Sequence, residues 1–467
     1  MPKPDPQLPL GTSSTLRGLS ETFSFHASPE SFITSRILDF HKEHPQLVAS
    51  RTVIRAKVLN RDVAVVSSHA QISQVLRDES SQYEACGAYN ELMAPFFPSP
   101  NLLLTDGAQH RHMRNIWEAK ISALRADSVS LVQELTKHHF EAALFGSEVD
   151  IYECMKTLSW KILLGVFLRL DFSDPLFTTI ASLQEDLLRG QFSVFPVSIN
   201  AGFWSSPRRK GVDAKKKLQG LILDHLESKK SACPFSAPDS NALEDLANHT
   251  LLITSSLATK AMASLLTALC LNLYLHEGKG EGGQTAAEEL LSQNDIERCS
   301  GRLRSILLET ERLSPPIVGI MRRSTGNNVI SSPAEEADVL VPKGWDCWLY
   351  FVGGGRDPAA VGPTWDRFDP SRYHEDGRTP EGTAFGAGPK TCLGKNLVRG
   401  MALSVATTWL RMGLRVEGKI TARGVRGWLG WERNDAIRPE DWAADMKQLP
   451  TQRPSKPVMV RLVRSEK

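Results

Sequence analysis

The run ALEDLANHTLLITSSLATKAMASLLTALCLNLYL at residues 242–275 constrains the fold more than any other part of the chain. A segment so long and so apolar either crosses a membrane or fills the centre of a large core. Its interior holds His249 and the hydroxyls of Thr254, Ser255, Ser256 and Thr259 around Ala258. Such groups find partners in a protein interior and not in lipid. The run is therefore read as a central helix, buried on all sides. With 467 residues, 41% hydrophobic and 23% charged, the chain has the material for such a core.

Around that helix the pattern is mixed. Residues 52–58 (TVIRAKV) and 62–67 (DVAVVS) are β-rich runs close enough to form a hairpin. From about 110 to 275 the periodicity is helical, with stretches at 125–144, 150–169 and 211–229 and a Pro/Gly/aromatic loop near Phe192–Pro207. The Gly-rich segment 277–286 reads as a surface loop, and the helix at 295–313 is ended by Pro315 and Pro316. Neither a repeat nor an inter-domain linker is visible. The expectation is one mainly α domain with small β-sheets over 1–467, with 1–45 as an N-terminal lead and 440–467 as a C-terminal extension. The opening residues MPKPDPQLPLGTSSTLRGLS lack the pattern of a signal peptide or anchor, so the expected location is cytoplasmic.

The formal charge of +2, from 55 basic and 53 acidic residues, gives no global field to hold nucleic acid or a membrane surface. The local runs Arg208–Lys210 and Lys215–Lys217 read as a solvated helix face. The seven cysteines, at 86, 154, 233, 270, 299, 347 and 392, have no paired spacing, which disfavours a disulfide framework and a zinc module. Most read as small buried apolar residues.

Cys392 differs. It lies in Phe385-Gly386-Ala387-Gly388-Pro389-Lys390-Thr391-Cys392-Leu393-Gly394. Glycines on both sides let backbone N–H groups approach the sulfur and let a flat cofactor lie against the chain. Such donors disperse thiolate charge and tune a bound metal. A helix starting at about Leu393 points its positive end at the sulfur. A glycine loop around an ordinary buried cysteine is the competing reading.

These residues match Phe-x-x-Gly-x-x-x-Cys-x-Gly, and through them the chain resembles the cytochrome P450 family. Further matches support the resemblance. Glu309-Thr310-Glu311-Arg312 fits the family's Glu-x-x-Arg motif, and Phe368-Asp369-Pro370-Ser371-Arg372 supplies the arginine that joins it. Val341-Pro342-Lys343-Gly344 and Arg356-Asp357-Pro358 lie in family order between them. The resemblance covers roughly residues 50 to 420 and implies a single haem domain, mainly helical with small sheets at one side. It implies haem b with Cys392 as the axial thiolate, and Phe385, Gly388, Lys390 and Gly394 in the cofactor loop. His110, Arg114, Arg322 and Lys390 would neutralise the haem propionates, Lys390 standing where the family usually has arginine. Glu309, Arg312 and Arg372 would form a buried structural group under the haem.

The central helix departs from the family. Where members usually carry an acid and a threonine beside a small-residue kink, this chain reads Thr254-Ser255-Ser256-Leu257-Ala258-Thr259-Lys260. One alignment puts Ala258-Thr259 at the pair and keeps the threonine; the other puts Leu257-Ala258 there and loses both residues. On the first, Thr259 is the residue for distal proton delivery. The implied function is a monooxygenase acting on a lipophilic terpenoid, steroid-like or polyketide molecule, in specialised metabolism. Two alternatives stay open: an isomerase, dehydratase or peroxygenase on the same haem-thiolate fold, and a haem-binding sensor. The apolar stretches 87–104 and 191–204, read as pocket and lid, favour an enzyme over a sensor. No Rossmann or flavin-binding pattern is present, so electrons are expected from a separate, NADPH-dependent reductase, and the chain is expected to be a monomer that binds no nucleic acid.

Overall fold

The computed structural model describes residues 5–9, 11, 20–25, 31–36, 53–58, 61–141, 145–191, 205–228, 240–275, 285–292, 300–332, 337–373, 379–418, 446–448, 451–454 and 457–464. The expected hairpin forms from β1 (Ile54–Val58) and β2 (Arg61–Val66), in register from Ile54↔Val65 to Val58↔Arg61. Then come α1 (His69–Leu76), β3 (Tyr83–Glu84) and α2 (Ala85–Met93). The helical half follows as α3 (Gly107–Glu141), β4 (Glu148–Asp150), α4 (Ile151–Leu168), α5 (Pro175–Gln191), α6 (Pro207–Ser228), α7 (Ser240–Ile253), α8 (Ser256–Tyr274), α9 (Ala286–Ser292) and α10 (Ser300–Leu313). The last part contains β5 (Gly319–Ser324), β6 (Asn328–Ile330), β7 (Val339–Val341), β8 (Asp346–Tyr350), α11 (Phe351–Gly355), α12 (Pro358–Val361), α13 (Lys395–Arg411), β9 (Leu414–Gly418), β10 (Met446–Gln448), β11 (Gln452–Pro454) and β12 (Met459–Arg464).

Local chemistry sets the helix ends. Asp150 caps α4 by accepting from Tyr152 N–H at 3.1 Å, and Arg169 ends it in the left-handed region at φ 52°. The apolar run expected as one helix is two. Thr254 returns its hydroxyl to the Thr250 carbonyl at 2.8 Å, and Ser255, in extended conformation, caps the next helix by accepting from Ala258 N–H at 3.4 Å. Hydroxyls that compete for backbone groups interrupt the helix there. Among the described residues α8 is the helix long and apolar enough to cross a membrane, but 78% of its apolar window is buried inside the fold. It packs on α4, α5, α10 and α13 in the main core, which also takes in Trp117 and Trp409.

The larger sheet has the order β1-β2-β8-β5-β3, with β2 and β8 parallel and the other pairs antiparallel. Every residue of β8 is buried, including Asp346, whose carboxylate is paired with Arg61 at 3.0 Å and Arg323 at 2.9 Å. Two sequence expectations change. Part of the stretch read as a pocket loop is α2, and its Phe96 and Phe97 belong to the core. The segment read as a C-terminal extension supplies β12, the middle strand of the sheet β4-β12-β9. Most of the stretch read as a lid, together with most of the loop at 277–286, lies outside the described residues.

Candidate haem-thiolate site

Cys392 sits in a turn that its glycines permit. Gly386 and Gly388 hold φ of 70° and 65°, the left-handed region. Gly388 also has no room for a side chain, since an added Cβ would fall 2.3 Å from the Leu76 carbonyl oxygen. The loop closes where Cys392 N–H donates to the Phe385 carbonyl at 2.8 Å. The following helix starts at Lys395 rather than at Leu393, with Gly394 at its N-cap. Lys395 N–H donates to the Cys392 carbonyl at 3.2 Å, and the backbone N–H groups of Gly394 and Lys395, with the charges of Arg114 and Lys395, favour the ionised sulfur. Desolvation nonetheless raises the thiol pKa, although the side chain is accessible to solvent.

Basic groups gather beside this loop. Arg114, on α3, donates to the Thr391 carbonyl at 2.6 Å and to Glu118 at 2.8 Å. Lys390 pairs with Asp106 at 2.9 Å and donates to the carbonyls of Thr105 and Leu102. His110, also on α3, is buried; desolvation, with Lys390 and Arg114 nearby, lowers its pKa to about 4. Arg322, on β5, is buried as well, and desolvation lowers its pKa against the opposing pull of Tyr89 and Asp106. Four basic residues from three separate segments thus gather here, with Asp106 on Lys390 and Glu118 on Arg114. With His110 neutral and Lys390 and Arg114 each on a carboxylate, the buried Arg322 guanidinium is the charge of this group that calls for an anion.

The structure brings Glu309, Arg312 and Arg372 together. Arg312 donates to both Glu309 oxygens at 2.7 Å and to the carbonyls of Gly355, Trp365 and Arg367. Arg372 lies 3.4 Å from Glu309 and donates to Val361, and Asp369 N–H donates to Glu309 at 2.8 Å. The spacing of three within α10 makes the first pair; the later loop completes it.

Thr259 lies in the first turn of α8, just past the helix break. It is fully buried, and its hydroxyl returns to the Ser255 carbonyl at 3.4 Å. Leu257 and Ala261, on the opposite side of α8, are part-exposed. The Thr259 hydroxyl thus closes the turn after the helix break, and Leu257 and Ala258 beside it keep some exposure.

Two features escaped the sequence reading because they join distant segments. Glu185, on α5, accepts from Ser256 Oγ at 2.9 Å and Lys260 Nζ at 2.8 Å, setting a carboxylate beside the break in a helix that lacks its own acid. Glu311 binds Arg399 of α13.

These residues fit a haem. An accessible thiol with two N–H donors suits an iron ligand, a glycine-lined turn suits a flat ring, and His110, Arg114, Arg322 and Lys390 suit two carboxylates. The Cytochrome P450 family profile matches residues 302–412. Protopanaxadiol 6-hydroxylase of Panax ginseng is 26% identical over 299 residues, 58% of this chain and 60% of that protein, so the match spans under two thirds of its length. Cytochrome P450 26C1 of Homo sapiens is 24% identical over 414 residues, 77% of this chain and 76% of that protein. A solved structure, retinoic acid bound cyanobacterial CYP120A1, shares the fold at TM-score 0.69 and 19% identity, covering 98% of this chain and 99% of that one.

Proposed function

The chain belongs to the cytochrome P450 family, and from that premise we propose that it is a monooxygenase hydroxylating a lipophilic isoprenoid, with electrons from a separate reductase. The observation that carries the reading is the accessible Cys392 thiol in its glycine turn, with His110, Arg114, Lys390 and the buried Arg322 gathered beside it. The substrate class rests on names: protopanaxadiol and retinoic acid, in the names of two similar proteins, are both isoprenoids.

A haem bound at this site supplies the C–H oxidising chemistry, from O₂ and two electrons. The chain's own residues do the rest. Cys392 Sγ would hold the iron as thiolate, and the backbone N–H groups of Gly394 and Lys395 would favour its charged form. Arg322, His110, Arg114 and Lys390 take the propionate carboxylates. Glu309, Arg312 and Arg372 fix the loop 364–372 against α10. On the side of the helix break, Glu185 and Lys260 are part-exposed and share a proton-bearing contact. We assign to Glu185 the acid function that α8 lacks, its carboxylate held by Ser256 and Lys260 beside the helix break. Leu257, Ala258 and Ala261 present an apolar wall to the substrate.

The test is turnover of a panel of terpenoid and retinoid substrates by the haem-loaded protein, with and without reductase, NADPH and O₂. Product that requires all three and carries label from ¹⁸O₂ is expected. Product formed without reductant or oxygen would replace this reading with an isomerase or dehydratase.

A further inference from the structure

Glu311 lies between Glu309 and Arg312, yet its side chain leaves their buried group for another partner. It is 2% exposed and receives Arg399 Nε at 2.9 and 3.1 Å, with Arg399 Nη2 on the same carboxylate. Arg399 lies on α13 one turn after Lys395, and both reach Glu381, Lys395 at 2.7 Å. The Arg399 guanidinium also sits over the Phe385 ring, 5.4 Å from its centre. The Phe385 carbonyl accepts the Cys392 N–H at 2.8 Å, and Lys395 donates its own N–H to the Cys392 carbonyl at 3.2 Å. Arg399 thus grips both ends of the cysteine turn, the ring that opens it and the helix start that closes it, and Glu311 ties that grip to α10.

We propose that Glu311 and Arg399 are positioning residues for the Cys392 thiolate, holding the Phe385 ring and the first turn of α13 so that the two backbone hydrogen bonds of Cys392 stay closed and the N–H groups of that turn stay beside the sulfur. The pair is a poor device for stability alone. Desolvation keeps Glu311 above the ordinary carboxylate value even with Arg399 beside it, and buried ion pairs often add nothing over apolar residues of the same size. What an apolar pair would not supply is direction: the forked guanidinium fixes helix, ring and carboxylate in one geometry. Looser N–H donors leave more charge on the sulfur. That makes the bound iron harder to reduce and the thiolate easier to protonate.

This inference rests on the haem-thiolate reading, and the experiment separates the two. Wild type, Arg399→Gln, Arg399→Lys and the double variant Glu311→Leu/Arg399→Leu are loaded with haem, and thermal stability, reduction potential and the absorption of the reduced carbonyl complex are measured. The double variant is expected to keep the wild-type melting temperature, because apolar replacement relieves the desolvation cost. Its potential is expected to be more negative, with a severalfold larger share of thiol-type absorption. Arg399→Gln should shift both readings in the same direction and Arg399→Lys less. A folded double variant with wild-type potential and absorption would overturn the proposal. A wild-type protein without thiolate-type absorption would instead overturn the haem-thiolate reading itself.

Discussion

At the scale of single residues, the site depends on what Cys392 and its glycines can do that other residues cannot. Cys392→Ala removes the sulfur that two N–H groups address. Its reduced carbonyl complex should lose the thiolate-type absorption entirely, and a variant keeping that absorption would exclude Cys392 as the ligand. Gly388 offers a sharper comparison. At φ 65°, with the Leu76 carbonyl 2.3 Å from an added Cβ, Gly388→Ala must displace backbone. We expect it to cost more than about 2 kcal/mol and to weaken haem retention. Gly344 has a similar φ of 85° with nothing within 4 Å, so Gly344→Ala should cost about 1 kcal/mol and leave haem binding intact. Urea titrations and haem-release rates measure both. Cys392, its glycines, and the Glu309–Arg312 pair were legible in the sequence because their chemistry demands fixed residue types at short spacing. Glu311–Arg399 and Glu185–Lys260 were not, because each pair joins helices far apart in the chain.

At the scale of elements, hydroxyls decided what hydrophobicity could not. The pattern at 242–275 identifies a buried helix, but Thr254 and Ser255 divide it, and the division turns Thr259 into the packing. Periodicity is nearly blind to such a break, since the apolar run continues through it. The α3–α4 contact carries a testable titration. His139 lies buried between Cys154 Sγ, 3.5 Å from Nε2, and Lys161 Nζ, 3.3 Å from Nδ1. Desolvation, with Lys161 beside it, lowers its pKa from 6.5 to about 4. The folded protein thus binds this proton less readily than the unfolded chain. The stabilisation is complete above pH 6.5 and is lost as pH falls toward 4, by about 2 kcal/mol at pH 5. Urea unfolding at pH 7 and pH 5 should show this loss in wild type and a smaller one in His139→Gln. Equal losses would mean that His139 is not held neutral.

At the scale of the whole molecule, the segment that looked like an extension fastens the helical half together. β12 pairs with β4, which leads into α4, and with β9, which follows α13. Val458 accepts the N–H of Ile151, the first residue of α4, at 3.0 Å, and Arg464 donates to the carbonyl of Met412, just past α13, at 3.2 Å. Short strands paired across 300 residues leave no periodic signal strong enough to read, since their partners and not their own composition define them. The arrangement predicts that damage to β12 is felt at both helices. Leu462 is fully buried and Arg461 is exposed on the same strand. Leu462→Asp buries an unpaired charge and should cost several kcal/mol, on the order of 3 or more, whereas Arg461→Gln should stay within about 0.5. Hydrogen exchange distinguishes a shared fastening from a local defect. If β12 ties the two helices, Leu462→Asp must speed exchange at the start of α4 and at the end of α13 together. Faster exchange confined to β12 and β9 would mean that the helices hold without it.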